Sequence, residues 1–358
     1  MPSHIVALDA MGGDVGPAVV IPGAAQALQR HPDLQFLLFG PQVALERELA
    51  AHPDLAARSL IRHTDSVIAG DAKPSQALRR GRGSSMWGAL EAVRDGQAAV
   101  AISAGNTGAL MALARMILRT LPGVDRPALA AQWPTIRQPS IVLDAGANIG
   151  ASASQLCQFA QMGAAMAEAV FGHARPSVGL LNVGSEEIKG ADEVKQAHAW
   201  LKQADLAFDY RGFIEGDQIG QGIVDVVVCE GFTGNIALKT AEGTAKQIAT
   251  YLKEAMTSSL ITKAGALIAS RGFQVLKHRS DPRRFNGATF LGLNGIAIKS
   301  HGGTDAYGFA SAIEVGYGMA ASNIVGHLTA DLAALQDKIA AIAAASETPA
   351  REPVANAS

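Results

Sequence analysis

Only two cysteines, Cys157 and Cys229, occur in 358 residues. They stand far apart and lack CxxC or ligand-like spacing, which excludes a thiolate metal cage or a disulfide-stapled scaffold and points to a reducing compartment. Charge of one sign is lacking too: 30 Lys and Arg meet 32 Asp and Glu, a formal net charge of −2. No global field draws such a chain to a polyanion, so nucleic acid is not expected as a partner, and any membrane contact must come from a local patch. No apolar run reaches the roughly 18 residues of a membrane span. Residues Met1 to Asp14 contain no basic stretch followed by an apolar one, so a secretory signal is not expected and the reading is cytoplasmic.

Several motifs are missing as well. There is no GxxxxGKS or GxxxxGKT phosphate loop and no HExxH, and the nine histidines are scattered, so neither a P-loop ATPase nor a zinc hydrolase is expected. Metal: none; cofactor: none. The GxGxxA string from Gly316 to Ala321 lies in a helix-like run and does not follow a strand, as a dinucleotide fingerprint must.

Glycine is abundant, with 38 residues, and its placement is informative. His4 to Leu8 is a β-prone run that ends in Asp9-Ala10-Met11-Gly12-Gly13-Asp14 and leads into the helix-like stretch Ala18 to Leu28. The same strand, loop and helix order recurs at Ser103-Ala104-Gly105-Asn106-Thr107-Gly108, Asp144-Ala145-Gly146-Ala147-Asn148, Gly184-Ser185-Glu186-Glu187 and Glu230-Gly231-Phe232-Thr233-Gly234-Asn235. Buried Val, Ile and Leu runs alternating with helices predict an α/β fold, three layers α/β/α around a largely parallel sheet. The expected organisation is one catalytic unit over 1–340 with a helical protrusion at about 250–285, then a disordered tail over 341–358, where the chain is small, polar and Pro-containing.

Loops at the carboxyl ends of parallel strands form ligand crevices, and their glycines let backbone N–H groups approach an anion. The five loops are therefore expected to line one edge and to hold a phosphate. Each alone could be a tight turn that needs positive φ. Asn106, Thr107, Asn148, Thr233 and Asn235 add side-chain donors that a plain turn would not need. A rival chemistry is a serine hydrolase or thioesterase. Ala101-Ile102-Ser103-Ala104-Gly105 is a loose nucleophile elbow, and Asp225 and His301 follow in hydrolase order.

Read as strings, these loops carry a resemblance. Together with Lys73-Pro74-Ser75, Ser84-Ser85-Met86, Phe213-Ile214-Glu215-Gly216, Lys299-Ser300-His301-Gly302 and the run from Leu181 to Gly190, they resemble the PlsX family of phosphate acyltransferases from about residue 4 to about residue 330. The resemblance implies transfer of a long fatty acyl group from acyl carrier protein to inorganic phosphate for phospholipid synthesis, without a cofactor. It also implies a fold like phosphotransacetylase and the isocitrate and isopropylmalate dehydrogenases, a homodimer, and peripheral contact with the inner face of the cell membrane. The downstream glycerol-3-phosphate acyltransferase is a further candidate partner.

The resemblance assigns catalysis to Lys189 and Asn235. By position alone Lys189 could be a solvated lysine at the start of a helix, and Asn235 a helix N-cap. Substrate and phosphate binding is expected of Gly12, Gly13, Asp14, Ser103, Gly105, Asn106, Thr107, Asn148, Gly184, Glu186, Thr233, Gly234 and His301. Gly150 and Ala151 depart from the family pattern.

The segment from Leu252 to Leu276 differs from the rest. Leu260, Ile261, Leu267 and Ile268 repeat at helical spacing, and Arg271, Lys277, Arg279, Arg283 and Arg284 follow against the single acid Asp281. Such a stripe beside basic charge suits a membrane surface. It also suits an ordinary core-facing or dimer-facing helix pair. A non-catalytic protein that binds carrier protein or lipid through this tip is the remaining alternative.

Overall fold

The apolar runs become strands wherever both faces are covered. The computed structural model describes residues 4–347, and their strands are β1 Ile5–Asp9, β2 Gln35–Gly40, β3 Ser59–His63, β4 Val100–Ser103, β5 Ala128–Trp133, β6 Ser140–Leu143, β7 Ser177–Leu181, β8 Asp209–Ile214, β9 Val226–Val228, β10 Ala288–Leu291 and β11 Ile296–Lys299. They form one sheet in the order β3-β2-β1-β4-β11-β10-β5-β6-β9-β7-β8. Every residue of β4, β6 and β9 is buried. Period-two alternation assigns the faces. Val6, Leu8, Phe36 and Leu38 point into one apolar layer with the helices Pro17–Arg30, Ala153–Phe171 and Ala306–Ala321. Ala7, Leu37 and Phe39 point into the other, against Ser85–Arg94 and Thr107–Leu118. The result is the three-layer α/β/α arrangement expected from the sequence.

One expectation fails here. Pairing is parallel across β3-β2-β1-β4-β11 and again across β6-β9-β7-β8. Between them β11-β10, β10-β5 and β5-β6 pair antiparallel, three reversals that leave the two parallel blocks running in opposite directions. The five glycine loops therefore do not share an edge. Those after β1 and β4 lie at one edge, with the loop after β11; those after β6, β9 and β7 lie at the other.

The helix Gly231–Thr257 leaves β9 and continues into Leu260–Ile268 and Ser270–Arg279, neither of which contains a buried residue. The sequence places a helical protrusion at about 250–285, within this run of helices. No described helix is long and apolar enough to cross a membrane. The helix Ile324–Glu347 overruns the start of the expected tail, because its alanine-rich end favours helix; the rest of that tail lies outside the described residues.

Candidate active site

At the first edge, three neighbouring strands end on polar residues: Asp9 on β1, Ser103 on β4 and Lys299 on β11. The Ser103 hydroxyl donates to Asp9 Oδ2 at 2.6 Å, and its oxygen accepts the Gly105 N–H at 3.0 Å. Asp9 is buried, and burial pushes its carboxyl above the usual carboxylate range despite the Ser103 and Ser85 hydrogen bonds. Gly12 closes over this pair; a Cβ there would stand 2.8 Å from both Asp9 Oδ2 and the Gly105 nitrogen. Gly13 needs its freedom too, with φ 89°. The Asp14 N–H donates to Gly302 O at 3.0 Å, tying this loop to the one after β11.

Lys299 Nζ donates to Ala104 O at 3.3 Å and to Ser300 O. Burial lowers its amine to about 8, with Asp14 and Asp9 pulling the other way. Asn106 caps the helix Thr107–Leu118, its Oδ1 accepting the Ala109 N–H at 2.8 Å while Nδ2 donates to Gly70 O at 2.7 Å. Asp9, Ser103, Lys299 and Asn106 are thus engaged by protein partners, while Asp14, Thr107 and His301 stay exposed.

The second edge is built differently. Leu143, Val228 and Leu180 pair in register at the ends of β6, β9 and β7, so the loops that follow start side by side, about 4.8 Å from strand to strand. After β6, the buried Asp144 carboxylate accepts N–H groups from Leu129 at 3.1 Å, Gly146 at 2.9 Å, and Ala147 and Asn148 at 2.8 Å, with Asn148 Nδ2 also at 2.8 Å. Asn148 Nδ2 further reaches Pro127 O at 2.9 Å.

After β9, Glu230 caps the helix Gly231–Thr257, accepting Thr233 N–H at 2.6 Å, Phe232 N–H at 2.8 Å and Gly150 N–H at 3.1 Å, as well as the Thr233 hydroxyl. These bonds outweigh its partial burial and hold its carboxyl below the usual range. Asn235 is thus not the cap. It stands exposed one turn in, with a single long bond from Nδ2 to Ala145 O at 3.4 Å. After β7, Asn182 Nδ2 clasps its loop through Gly184 O at 3.1 Å and Lys189 O at 3.0 Å. Lys189 sits in this loop and not in a helix, which starts only at Asp192. Its ammonium meets Glu186 at 2.8 Å with both side chains about half exposed. That carboxylate raises the lysine, and Glu215 adds to the effect.

The sequence-derived residues therefore divide. Gly12, Gly13, Asp14, Ser103, Gly105, Asn106, Thr107 and His301 belong to the first edge; Asn148, Gly184, Glu186, Lys189, Thr233, Gly234 and Asn235 belong to the second. Within one chain they do not form one crevice. The side chains of Asn106, Asn148 and Thr233, expected as donors to a ligand, are engaged in shaping their own loops. The hydrolase arrangement does not assemble: Ser103 is bonded to Asp9, Asp225 to Ser177, Gln138 and His173, and His301 Nδ1 accepts the Gly303 N–H at 3.2 Å. Both cysteines are buried, and burial pushes the Cys157 thiol up to about 12 and Cys229 higher still.

Residues 5–326 match the family model described as "Fatty acid synthesis protein". A protein of Afipia carboxidovorans named "Phosphate acyltransferase" is 60% identical over 316 residues, covering 88% of this chain and 90% of its own. The chain belongs to the phosphate acyltransferase family. A second member, from Sinorhizobium medicae, is 58% identical over 330 residues, covering 92% of this chain and 95% of its own. Among solved structures, a phosphotransacetylase from Streptococcus pyogenes superposes with a TM-score of 0.59 at 17% identity over 88% of this chain and 94% of its own, a likeness of fold. In this phosphate acyltransferase family member, Asp9, Asp144, Asn182 and Lys299 shape the two edges without standing out as site residues in the sequence. A signal for the first two exists: Asp-Ala follows a buried strand at both Asp9-Ala10 and Asp144-Ala145, with glycine close behind.

Proposed function

We propose that this acyltransferase moves a long-chain fatty acyl group from acyl carrier protein to inorganic phosphate, at the edge that carries Lys189 and Asn235. A phosphate oxygen attacks the thioester carbonyl carbon, the C–O bond forms, the C–S bond breaks, and the carrier thiolate leaves and takes up a proton. Thioester and acyl phosphate are both activated acyl groups, so positioning and charge stabilisation suffice. The observation that carries this reading is the contrast in how donors are held. Among the described residues, Lys189 pairs with the exposed Glu186 carboxylate and Asn235 makes one long bond, so both can turn to substrate at small cost. Lys189 receives phosphate, and Asn235 donates to the carbonyl oxygen as it becomes an oxyanion. Glu186, Gly184, Thr233, Gly234 and Asn148 hold the loops that present them. Mass spectrometry of the products from palmitoyl-acyl carrier protein tests the reading. Acyl phosphate that forms only with added phosphate is expected; free fatty acid formed equally without it would overturn the proposal.

A peripheral place on the inner face of the cytoplasmic membrane belongs to the same reading. Leu260, Ile261, Leu267 and Ile268 are 76–87% exposed, with Lys263, Arg271, Lys277, Arg279 and Arg284 on or beside the same helices. Arg283 drops out of that patch, since Asp281 and Asp305 pair with it. An amphiphilic product delivered there suits a downstream glycerol-3-phosphate acyltransferase. A homodimer is also proposed, supported by the exposed Ile248, Tyr251 and Leu252 on the long helix.

A further inference from the structure

The loops that carry Lys189 and Asn235 also carry an unusual number of exposed apolar side chains. Ile149 follows Asn148 and is 87% exposed; Val183 and Ile188, at 76% and 85%, flank the Gly184 loop; Phe232 and Ile236, at 58% and 49%, bracket Asn235. The first edge has nothing comparable, with Val15 the only large exposed apolar residue in its three loops among the described residues.

The loops that carry these side chains are held by their own bonds. The Gly150 and Phe232 N–H groups bond the same Glu230 oxygen, Oε2, which fixes Ile149 beside the start of the helix. Phe232, Asn235 and Ile236 stand at i, i+3 and i+4 and share one helical face. A Cβ on Gly184 would stand 2.6 Å from Lys189 Cδ, so the Val183 end of that loop is closed on the lysine stem.

We infer that Ile149, Val183, Ile188, Phe232 and Ile236 form the acyl-chain subsite, which grips the methylenes next to the thioester carbonyl and sets a preference for long chains. The inference rests on the proposed acyl transfer at Lys189 and Asn235. An acyl donor must bring a polar carbonyl and an apolar chain to one point, and these apolar side chains stand on the same neighbouring loops as the proposed reacting groups. They are separate from the stripe of Ile248, Tyr251 and Leu252. At 3.6 residues per turn, that stripe is centred roughly 130° away from the Phe232 and Ile236 face around the helix.

The test is kcat/KM for acetyl-, octanoyl- and palmitoyl-acyl carrier protein with inorganic phosphate, in the wild-type chain and in Ile188→Ser with Phe232→Ser. Each buried methylene contributes about fourfold, so the palmitoyl-to-acetyl ratio is expected to fall at least about tenfold in the double variant. An unchanged ratio overturns the inference, whether overall turnover drops or not. An unchanged ratio with loss of the dimer in sedimentation velocity assigns these side chains to a second copy of the chain instead. If the wild-type chain forms acyl phosphate from none of the donors, the parent reading fails and the subsite with it.

Discussion

The two edges of the sheet use similar loops for different ends. At the first, Asp9 and Ser103 bond each other beneath Gly12, and Lys299 bonds the backbone carbonyls of Ala104 and Ser300, so these three side chains are satisfied within the protein. At the second, Asp144 and Glu230 gather the backbone donors of their loops, and Lys189 and Asn235 are left on the surface with replaceable partners. Asparagine and glycine in a loop do not by themselves mark a ligand site. What matters is which donors the loop has already used.

The contrast can be broken at its most closed point. Asp144→Ala leaves several buried donors without their acceptor and is expected to cost about 4 kcal/mol or more, read as a large fall in the thermal unfolding midpoint. Retention of wild-type stability would mean that Asp144 does not organise its loop. An open surface should behave in the opposite way. Leu260→Glu with Leu267→Glu removes two exposed apolar anchors and should weaken liposome binding by at least about 100-fold, while unfolding stays near wild type. Unchanged flotation with vesicles of anionic lipid would remove the tip from membrane contact.

Lys299 makes the first edge sensitive to pH. Its amine titrates at about 8 in the folded protein against 10.5 for the ordinary side chain. Between those values the unfolded chain binds more protons, so stability rises as pH climbs from about 8 to about 10.5, by at most about 1.4 kcal/mol per pH unit. Lys299→Met should flatten that rise in denaturant titrations; an identical pH profile would place the amine in water. The smallest effect is expected at Thr233→Val, about 1 kcal/mol of stability, because the hydroxyl supports the Glu230 cap. A loss of turnover far beyond that would give Thr233 a direct role with substrate.

Much of the frame is legible from residues alone. Runs such as Ala98 to Ile102 and Ser140 to Leu143 are buried on both faces, so their composition announces them as strands. β3 and β8 are partly exposed and mixed in composition, and β5, β10 and β11 are short or interrupted by loops without a helix between neighbours. Strand direction is the larger omission. Hydrophobic pattern does not encode it, and it is set here by the three antiparallel pairings β11-β10, β10-β5 and β5-β6 across the middle of the sheet. That reversal is why the candidate residues separate into two groups. Lys189 and Asn235 were accessible only through family resemblance, since nothing in a lone lysine or asparagine distinguishes a free donor from a spent one. Arg283 shows the converse: its charge is visible in the sequence, but its pairing with Asp281 and Asp305 is not.

Acyl transfer is proposed at the open edge. Phosphate-dependent formation of acyl phosphate from palmitoyl-acyl carrier protein, measured by mass spectrometry for wild type, Lys189→Ala and Asn235→Ala, tests it most directly. A loss of about 100-fold or more is expected in each variant with an unfolding midpoint close to wild type, since both side chains are exposed and lightly bonded. Variants that keep full turnover would contradict it and move the reaction away from this edge.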